Sequence, residues 1–248
     1  MKKLSILLLV LVIGFTVGCK GKTGPTGANG TNGTNGSNGT NGSDTTNVYT
    51  ARFQTGVDPS TAYAGVTFNR LDSVNAGTIY SNDGKLIFSN TSAGEHSVIL
   101  VKFNIAGLIP SNATLTTAAI ELVSNTSTTL AGPVTIGVHK IGGYAWTYQA
   151  SWNSEDGTVY WGYSIFGSNC YGSVMGTAVL PVSYTGATNR IGLDVSTATI
   201  NAWMNGDNTG LAIVSENQGA DSTGSVVFSA PNDSNVSYRP VLEVNYTL

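Results

Sequence analysis

The chain has 248 residues, a net charge of −3 and only 10% charged side chains, far below the roughly 25% of an average soluble protein. Hydroxyls and amides carry its polarity instead. Without a basic surface to meet phosphate backbones, nucleic acid is excluded as a partner.

The chain starts Met1, Lys2, Lys3 and continues "LSILLLVLVIGFTVGC" to Cys19. A basic start, a short apolar run and a small residue before the cysteine read as an export signal; the run is shorter than the roughly 18 residues that span a bilayer. The segment "TVGC" resembles a bacterial lipobox. That resemblance implies cleavage after residue 18, lipidation of Cys19 and a place in the bacterial cell envelope, facing the surface or the periplasm. Two or more acyl chains give a stable membrane anchor where one is marginal. With Cys19 lipidated, Cys170 has no partner within the chain; it is read as a buried or half-buried thiol, with an intermolecular bridge as the alternative.

Residues 19–44 form the next element. From Gly21 to Asp44 the register G-x-y holds for eight triplets, with Pro25 as its single proline. Only glycine fits at the axis of a collagen triple helix, so the strict period is collagen-like. So little proline leaves much chain entropy to be lost on winding, and a solvated tether is the competing reading. The choice depends on whether the following domain forms a homotrimer. Extended at ~3.1 Å per residue, the segment reaches on the order of 70 Å and acts as a stalk.

Residues 45–248 read as one domain. Short runs rich in Val, Ile, Leu, Thr and Tyr alternate with Gly, Asn, Asp, Ser and Pro clusters. The candidate strands are "KLIFSN", "SVILVKFNI", "LTTAAIELV", "PVTIGVHKI", "TAVLPVSY", "NRIGLDV", "GLAIVSE", "SVVFSA" and "PVLEVNYT". Their number predicts an all-β, antiparallel, two-sheet sandwich. One short helix is expected in "DVSTATINAWMNGDN", where Ser/Thr precede Ile200 and Trp203 at spacing three and Gly206 closes the C-terminus.

The succession "LVKFNIAGLIPSNATLTTAAIELV", "WTYQASWN", "IGLDVSTATINAWMNGDNTGLAIVSEN", "VVFSAP" and "RPVLEVNY" resembles the DNRLRE, or disaggregatase-related, domain family over roughly residues 75 to 248. The resemblance implies a jelly-roll-like β-sandwich similar to carbohydrate-binding modules of secreted and surface proteins. It places Phe103 and Pro110 in a strand-turn motif, Trp146 and Trp152 in a paired tryptophan motif and Asp194 and Trp203 in a strand-helix motif. Arg239, Pro240 and Tyr246 fall in the closing strand. Two departures stand out: Tyr148 or Gln149 replaces the acidic residue after the first tryptophan, and the insertion from Glu155 to Gly186 is long and aromatic.

No residue pattern specifies catalysis. His96 and His139 lie outside any H-E-x-x-H motif, and His139 is expected to be exposed on the polar side of "VTIGVHKI". No G-x-S-x-G elbow occurs. Glu121, Asp194 and Glu243 are expected in strands and Glu155 with Asp156 in a loop, with nothing pairing any two as a glycosidase would. Calcium is the one cofactor to weigh: Asp207, Asn208, Asp221, Asn232 and Asp233 lie in oxygen-rich loops, but no EF-hand or nonapeptide spacing occurs and turn-forming Asx residues account for them.

Chemical promise lies in "YAWTYQASWNSEDGTVYWGYSIFGSNCYG", where Tyr144, Trp146, Tyr148, Trp152, Tyr160, Trp161, Tyr163, Phe166 and Tyr171 fall within 29 residues. Aromatic faces stack on sugar rings. Trp146 and Trp152 are expected to pack the sandwich, while Tyr160, Trp161 and Tyr163 are expected as the exposed ligand platform. The sequence therefore reads as an anchored lipoprotein whose stalk presents a non-catalytic module for polysaccharide or another surface polymer. A structural envelope protein trimerising through its stalk is the alternative, and an extracellular glycan-degrading enzyme or its subunit is the second.

Overall fold

The computed structural model describes residues 47–88, 96–124, 128–162, 165–184, 189–217 and 224–248. They belong to the unit Thr45–Leu248. Cys19, the G-x-y stalk, Tyr163 and Asp221 lie outside the described residues.

In chain order the strands are β1 (Tyr49–Phe53), β2 (Val66–Asp72), β3 (Tyr80–Ser81), β4 (Lys85–Phe88), β5 (Ser97–Phe103), β6 (Thr114–Ser124) and β7 (Thr128–Thr129). They continue with β8 (Val134–Ile141), β9 (Tyr171–Leu180), β10 (Ser183–Tyr184) and β11 (Asn189–Asp194). Helix α1 (Thr197–Met204) follows, then β12 (Leu211–Ser215), β13 (Gly224–Val227) and β14 (Val241–Thr247). A four-stranded sheet has the order β1-β14-β6-β11 and a six-stranded sheet the order β3-β2-β5-β12-β8-β9. Two small ribbons, β4 with β13 and β7 with β10, complete the set, and every pairing is antiparallel. After β5 the chain passes from sheet to sheet, so each layer is stitched from distant segments. This is the all-β, jelly-roll-like sandwich that the sequence predicts.

The main core lies between the sheets. Ile99, Val101 and Phe103 of β5 meet Ile120 and Leu122 of β6, Leu193 of β11 and Leu242 and Val244 of β14. Helix α1 adds Ile200 and Trp203, both buried. It begins at Ser196, whose carbonyl rather than its side chain accepts the first helical hydrogen bonds. Gly206 ends it with φ +90°, a conformation that favours glycine.

A second apolar cluster lies on the other face of the six-stranded sheet. Strand residues alternate across a sheet, so Val98 and Leu100 of β5, Leu71 of β2 and Ala212 and Val214 of β12 point away from the sandwich interior. There they meet Trp146, Ala150, Trp152, Trp161, Phe166 and Cys170. The aromatic segment is thus a third layer covering that sheet. It explains why "VILV" (98–101) and "LAIV" (211–214) are apolar without a break: both of their faces are covered.

β2 is absent from the sequence prediction because "VTFNRLD" carries Asn69, Arg70 and Asp72, all of them buried. Each is satisfied by a partner. Asn69 Nδ2 donates to the Ala150 carbonyl at 2.8 Å and ties the third layer to the sheet. Arg70 is paired with Asp72 and Asp83.

Candidate functional site

The third layer is held by backbone and indole hydrogen bonds rather than by regular strands. The Thr147 amide donates to the Glu155 carbonyl, the Asn153 amide to the Ala76 carbonyl and the Phe166 amide to the Trp152 carbonyl. Indole Nε1 of Trp146 donates to the Thr209 carbonyl at 2.7 Å, and that of Trp161 to the Ser151 carbonyl at 2.8 Å. Each tryptophan is fixed at its polar end and enclosed around its apolar body.

This geometry corrects the expected platform. Trp161 is 0% exposed, packed against Tyr144 and Phe166 with centroids at 5.5 and 5.0 Å. Its indole offers no face to a ligand. The apparent alternation of "VYWGY" fails because a bridge between Ser154 and Tyr160 turns Tyr160 outward, 63% exposed, and Trp161 inward onto the sheet. Tyr148 also stands out in solvent. Trp146 and Trp152 are buried as expected.

The layer leaves a cavity of about 190 Å³ at one edge, lined by His96, Val98, Trp152, Phe166, Gly167, Ser168 and Tyr171. Its walls are aromatic. Trp152 meets His96 edge-on at 4.9 Å and Phe166 at 5.8 Å, while Phe166 and Tyr171 stack at 5.7 Å with an interplanar angle of 27°. The backbone amide of His96 donates to Ser73 Oγ, and the Ser73 amide donates to the His96 carbonyl, fixing that wall to the end of β2. Among the described residues no hydrogen bond engages the Tyr171 hydroxyl or the Ser168 hydroxyl. Burial, then the charges of Glu216 and Cys170, push the Tyr171 phenol above its ordinary value, so it stays a neutral donor across the physiological range.

Behind Tyr171 stands a buried polar pair that the sequence reading missed. His139 is buried rather than exposed, its ring 4.8 Å from that of Tyr171. Nδ1 lies 2.8 Å from the Gly172 carbonyl and Nε2 2.6 Å from Glu216 Oε1. A carbonyl only accepts, so Nδ1 carries a proton. Glu216 reaches the ring by lying over Gly137, where an added Cβ would collide with its carboxylate. The glycine in "TIGVH" is the sequence signal for this close approach.

Lys102 closes the far edge of the layer. Its Nζ donates to the Trp146 carbonyl at 2.6 Å and sits 4.4 Å from the Trp146 ring centroid. Burial draws its pKa down to about 8, against the opposing pull of the Glu155 carboxylate.

The remaining predicted residues have structural surroundings. Trp203 fills the main core. Asp194 ends β11 with its side chain exposed. Arg239 donates from Nε to the Asp233 carbonyl and from Nη1 to the Thr55 carbonyl, clamping two loops beside Pro240 and the start of β14. Cys170 is buried, and burial raises its thiol pKa above the ordinary value. Of the oxygen-rich loop residues, Asp207 faces Lys140, Asn208 is engaged by the Phe103 carbonyl and the Gly210 amide, and Asp233 accepts from the Asn235 amide. Among the described residues no three His, Cys, Asp or Glu side chains gather as a metal site.

No protein-family model matches the chain, and no curated protein matches it. The functional reading therefore rests on the site itself.

Proposed function

We propose that this protein is a lipid-anchored envelope protein whose stalk presents a non-catalytic, DNRLRE-like β-sandwich that binds polysaccharide. The observation that carries the reading is the edge cavity: three aromatic rings and a histidine line it, and among the described residues the Tyr171 and Ser168 hydroxyls at its lining engage no hydrogen-bond partner. Aromatic faces match the C–H faces of a pyranose ring, and unspent hydroxyls match its alcohol groups. At about 30 Å³ per water, the space holds about six waters. It takes one sugar ring, hence the end or a branch of a glycan.

A panel of methyl pyranosides, titrated against tryptophan emission of the intact domain, tests the site. One or more should bind with Kd near the millimolar range, about −4 kcal/mol. Tyr171→Phe keeps the ring and removes one hydrogen bond, so it should weaken binding about three- to tenfold. Ser168→Phe, at an exposed position, should fill the cavity and abolish binding with the fold intact. A panel without any binder, or binding indifferent to both variants, sinks the sugar-site reading.

The anchor is tested separately. Cys19→Ser should move the protein from the membrane to the soluble fraction. Persistent membrane association in that variant would show that another feature holds the chain there.

A further inference from the structure

The outer face of the four-stranded sheet is built differently from its counterpart. The six-stranded sheet is covered by the aromatic layer. The four-stranded sheet instead presents polar side chains in register across neighbouring strands. One row holds Thr50, Asn245 and Thr117, linked because Thr50 Oγ1 donates to Asn245 Oδ1 at 2.6 Å and Asn245 Nδ2 donates to Thr117 Oγ1 at 3.0 Å. The next row holds Arg52, Glu243, Ala119 and Asp194. The third runs Val241, Glu121, Gly192.

Small residues give these rows relief. Ala119 on β6 and Gly192 on β11 lie diagonally on adjacent rows, and around them opens a cleft of about 150 Å³ lined by Arg52, Glu121, Val241 and Glu243. Its charges are already matched: Arg52 Nη1 is 2.8 Å from Glu243 Oε2, and Arg190 pairs with Glu121. Arg190 also donates to the Ser237 carbonyl at 3.0 Å, which fixes its guanidinium at the margin of the cleft.

We infer that this face is a second ligand site, for an extended neutral polysaccharide lying across the sheet. Charge decides the ligand class. Each guanidinium is engaged by a carboxylate, so the cleft presents fixed donors and acceptors with no excess positive charge; a polyanion would meet Glu121, Glu243 and Asp194, while a neutral polyol satisfies both members of each pair. The shallow apolar floor at Ala119, Gly192 and Val241 suits a sugar's C–H face, and the linked Thr50–Asn245–Thr117 row supplies further hydroxyl partners. Strands about 4.8 Å apart make the four-strand track about 14 Å wide, wider than a single ring. The two sites lie on opposite outer faces of one sandwich, so the module is bivalent: one face takes a chain end or branch and the other the body of a chain. Bivalency turns a binding module into a cross-linker of polymer strands.

The inference rests on reading the domain as a glycan binder, and the two sites can be made to fail separately. Gly192 provides the variant: a Cβ there meets nothing within 4 Å, so Gly192→Tyr fills the cleft without disturbing the fold. The intact domain is run through gels containing β-glucan, galactomannan, xylan or dextran, with polygalacturonate as the charged control. At least one neutral polymer should retard the wild type, and Gly192→Tyr should weaken that retention about tenfold or more while leaving methyl pyranoside binding at the aromatic cavity unchanged. Ser168→Phe should do the reverse for pyranosides and retain polymer binding at the sheet face. Gly192→Tyr running like wild type in every polymer, retention by polygalacturonate alone, or no retention in any gel would each overturn the second site.

Discussion

Trp161→Ala should destabilise the domain by about 3–5 kcal/mol, the cost of emptying the space of a buried large aromatic. The residue has no exposed surface, contacts Tyr144 and Phe166, and is the donor to the Ser151 carbonyl. Truncation leaves both a void and a buried carbonyl without its donor, and both effects have the same sign. In a unit of about this size each kcal/mol moves the unfolding midpoint by roughly 2–4 °C, so the midpoint should fall by roughly 6–20 °C. Tyr160→Ala, one residue away but in solvent, should stay within about 0.5 kcal/mol of wild type. Thermal unfolding of the two variants side by side decides the matter. If Trp161→Ala melts with wild type, the third layer is not cooperatively joined to the sandwich. A functional loss should follow the structural one, because Phe166 packs on Trp161 and lines the sugar cavity.

The contrast between Trp161 and Tyr160 marks the limit of reading periodicity in an irregular segment. In the strands, alternation and turn chemistry identify most of the sandwich: "LTTAAIELV", "NRIGLDV" and "PVLEVNYT" appear as β6, β11 and β14. Helix α1 is legible from its Trp203 spacing and from Gly206. Among the described residues between Gly142 and Cys170 there is almost no regular strand, so side-chain direction follows individual hydrogen bonds such as that from the Glu155 amide to the Val159 carbonyl. No period of two or 3.6 encodes those. A different signal was present in the sequence, since strands apolar on both faces require a cover, and the aromatic segment has the apolar mass to supply it. His139 escaped for a related reason: a bulge at Val138 and His139 interrupts the pairing of β8 with β9, and its carboxylate partner lies 77 residues along the chain.

β2 shows the same limit from the polar side. A run holding Asn, Arg and Asp reads as a surface loop because isolated buried charges cost too much. Pairing cancels that cost, but beyond the Arg70–Asp72 pair within the strand the partners, Asp83 and the Ala150 carbonyl, lie outside a window of seven residues. The cavity is harder to foresee than either. It depends on β2, the His96 segment, the aromatic layer and the first residue of β9 meeting at one edge, and no local pattern joins the four.

Arg70→Met should be as damaging as the loss of Trp161, about 3–5 kcal/mol, because it removes one member of a buried ion network and leaves the others. Arg70 Nη1 lies 2.7 Å from Asp72 Oδ2, its Nε lies 3.1 Å from Asp83 Oδ2, and its guanidinium stacks 3.6 Å from the Tyr80 ring centroid. Burial disfavours the Asp72 carboxylate, yet hydrogen bonds from the Asn75 and Val74 amides and the Asn75 side chain, together with the charge of Arg70, outweigh it and hold the pKa below its ordinary value. A carboxyl depressed in the folded state contributes stability above its unfolded pKa near 4 and loses it as pH falls through the folded value. Wild type should therefore weaken in acid below about pH 4. In Arg70→Met the Asn75 and Val74 hydrogen bonds remain but the Arg70 charge is lost, so the Asp72 pKa rises relative to wild type and protonation relieves more of the stranded charge, and the deficit relative to wild type should be largest near pH 7 and narrow towards pH 3.5. Unfolding midpoints of both proteins across that range provide the test, and an equal deficit at pH 7 and pH 3.5 would refute the assignment of the damage to Asp72. Asp72 also accepts the amides that shape the turn before Ala76, whose carbonyl holds the Asn153 amide of the aromatic layer, and Ser73 in that turn holds the His96 wall of the cavity. Pyranoside affinity should thus fall in Arg70→Met even under conditions where the domain remains folded, which connects a buried charge in β2 to a sugar site on the opposite side of the same strand end.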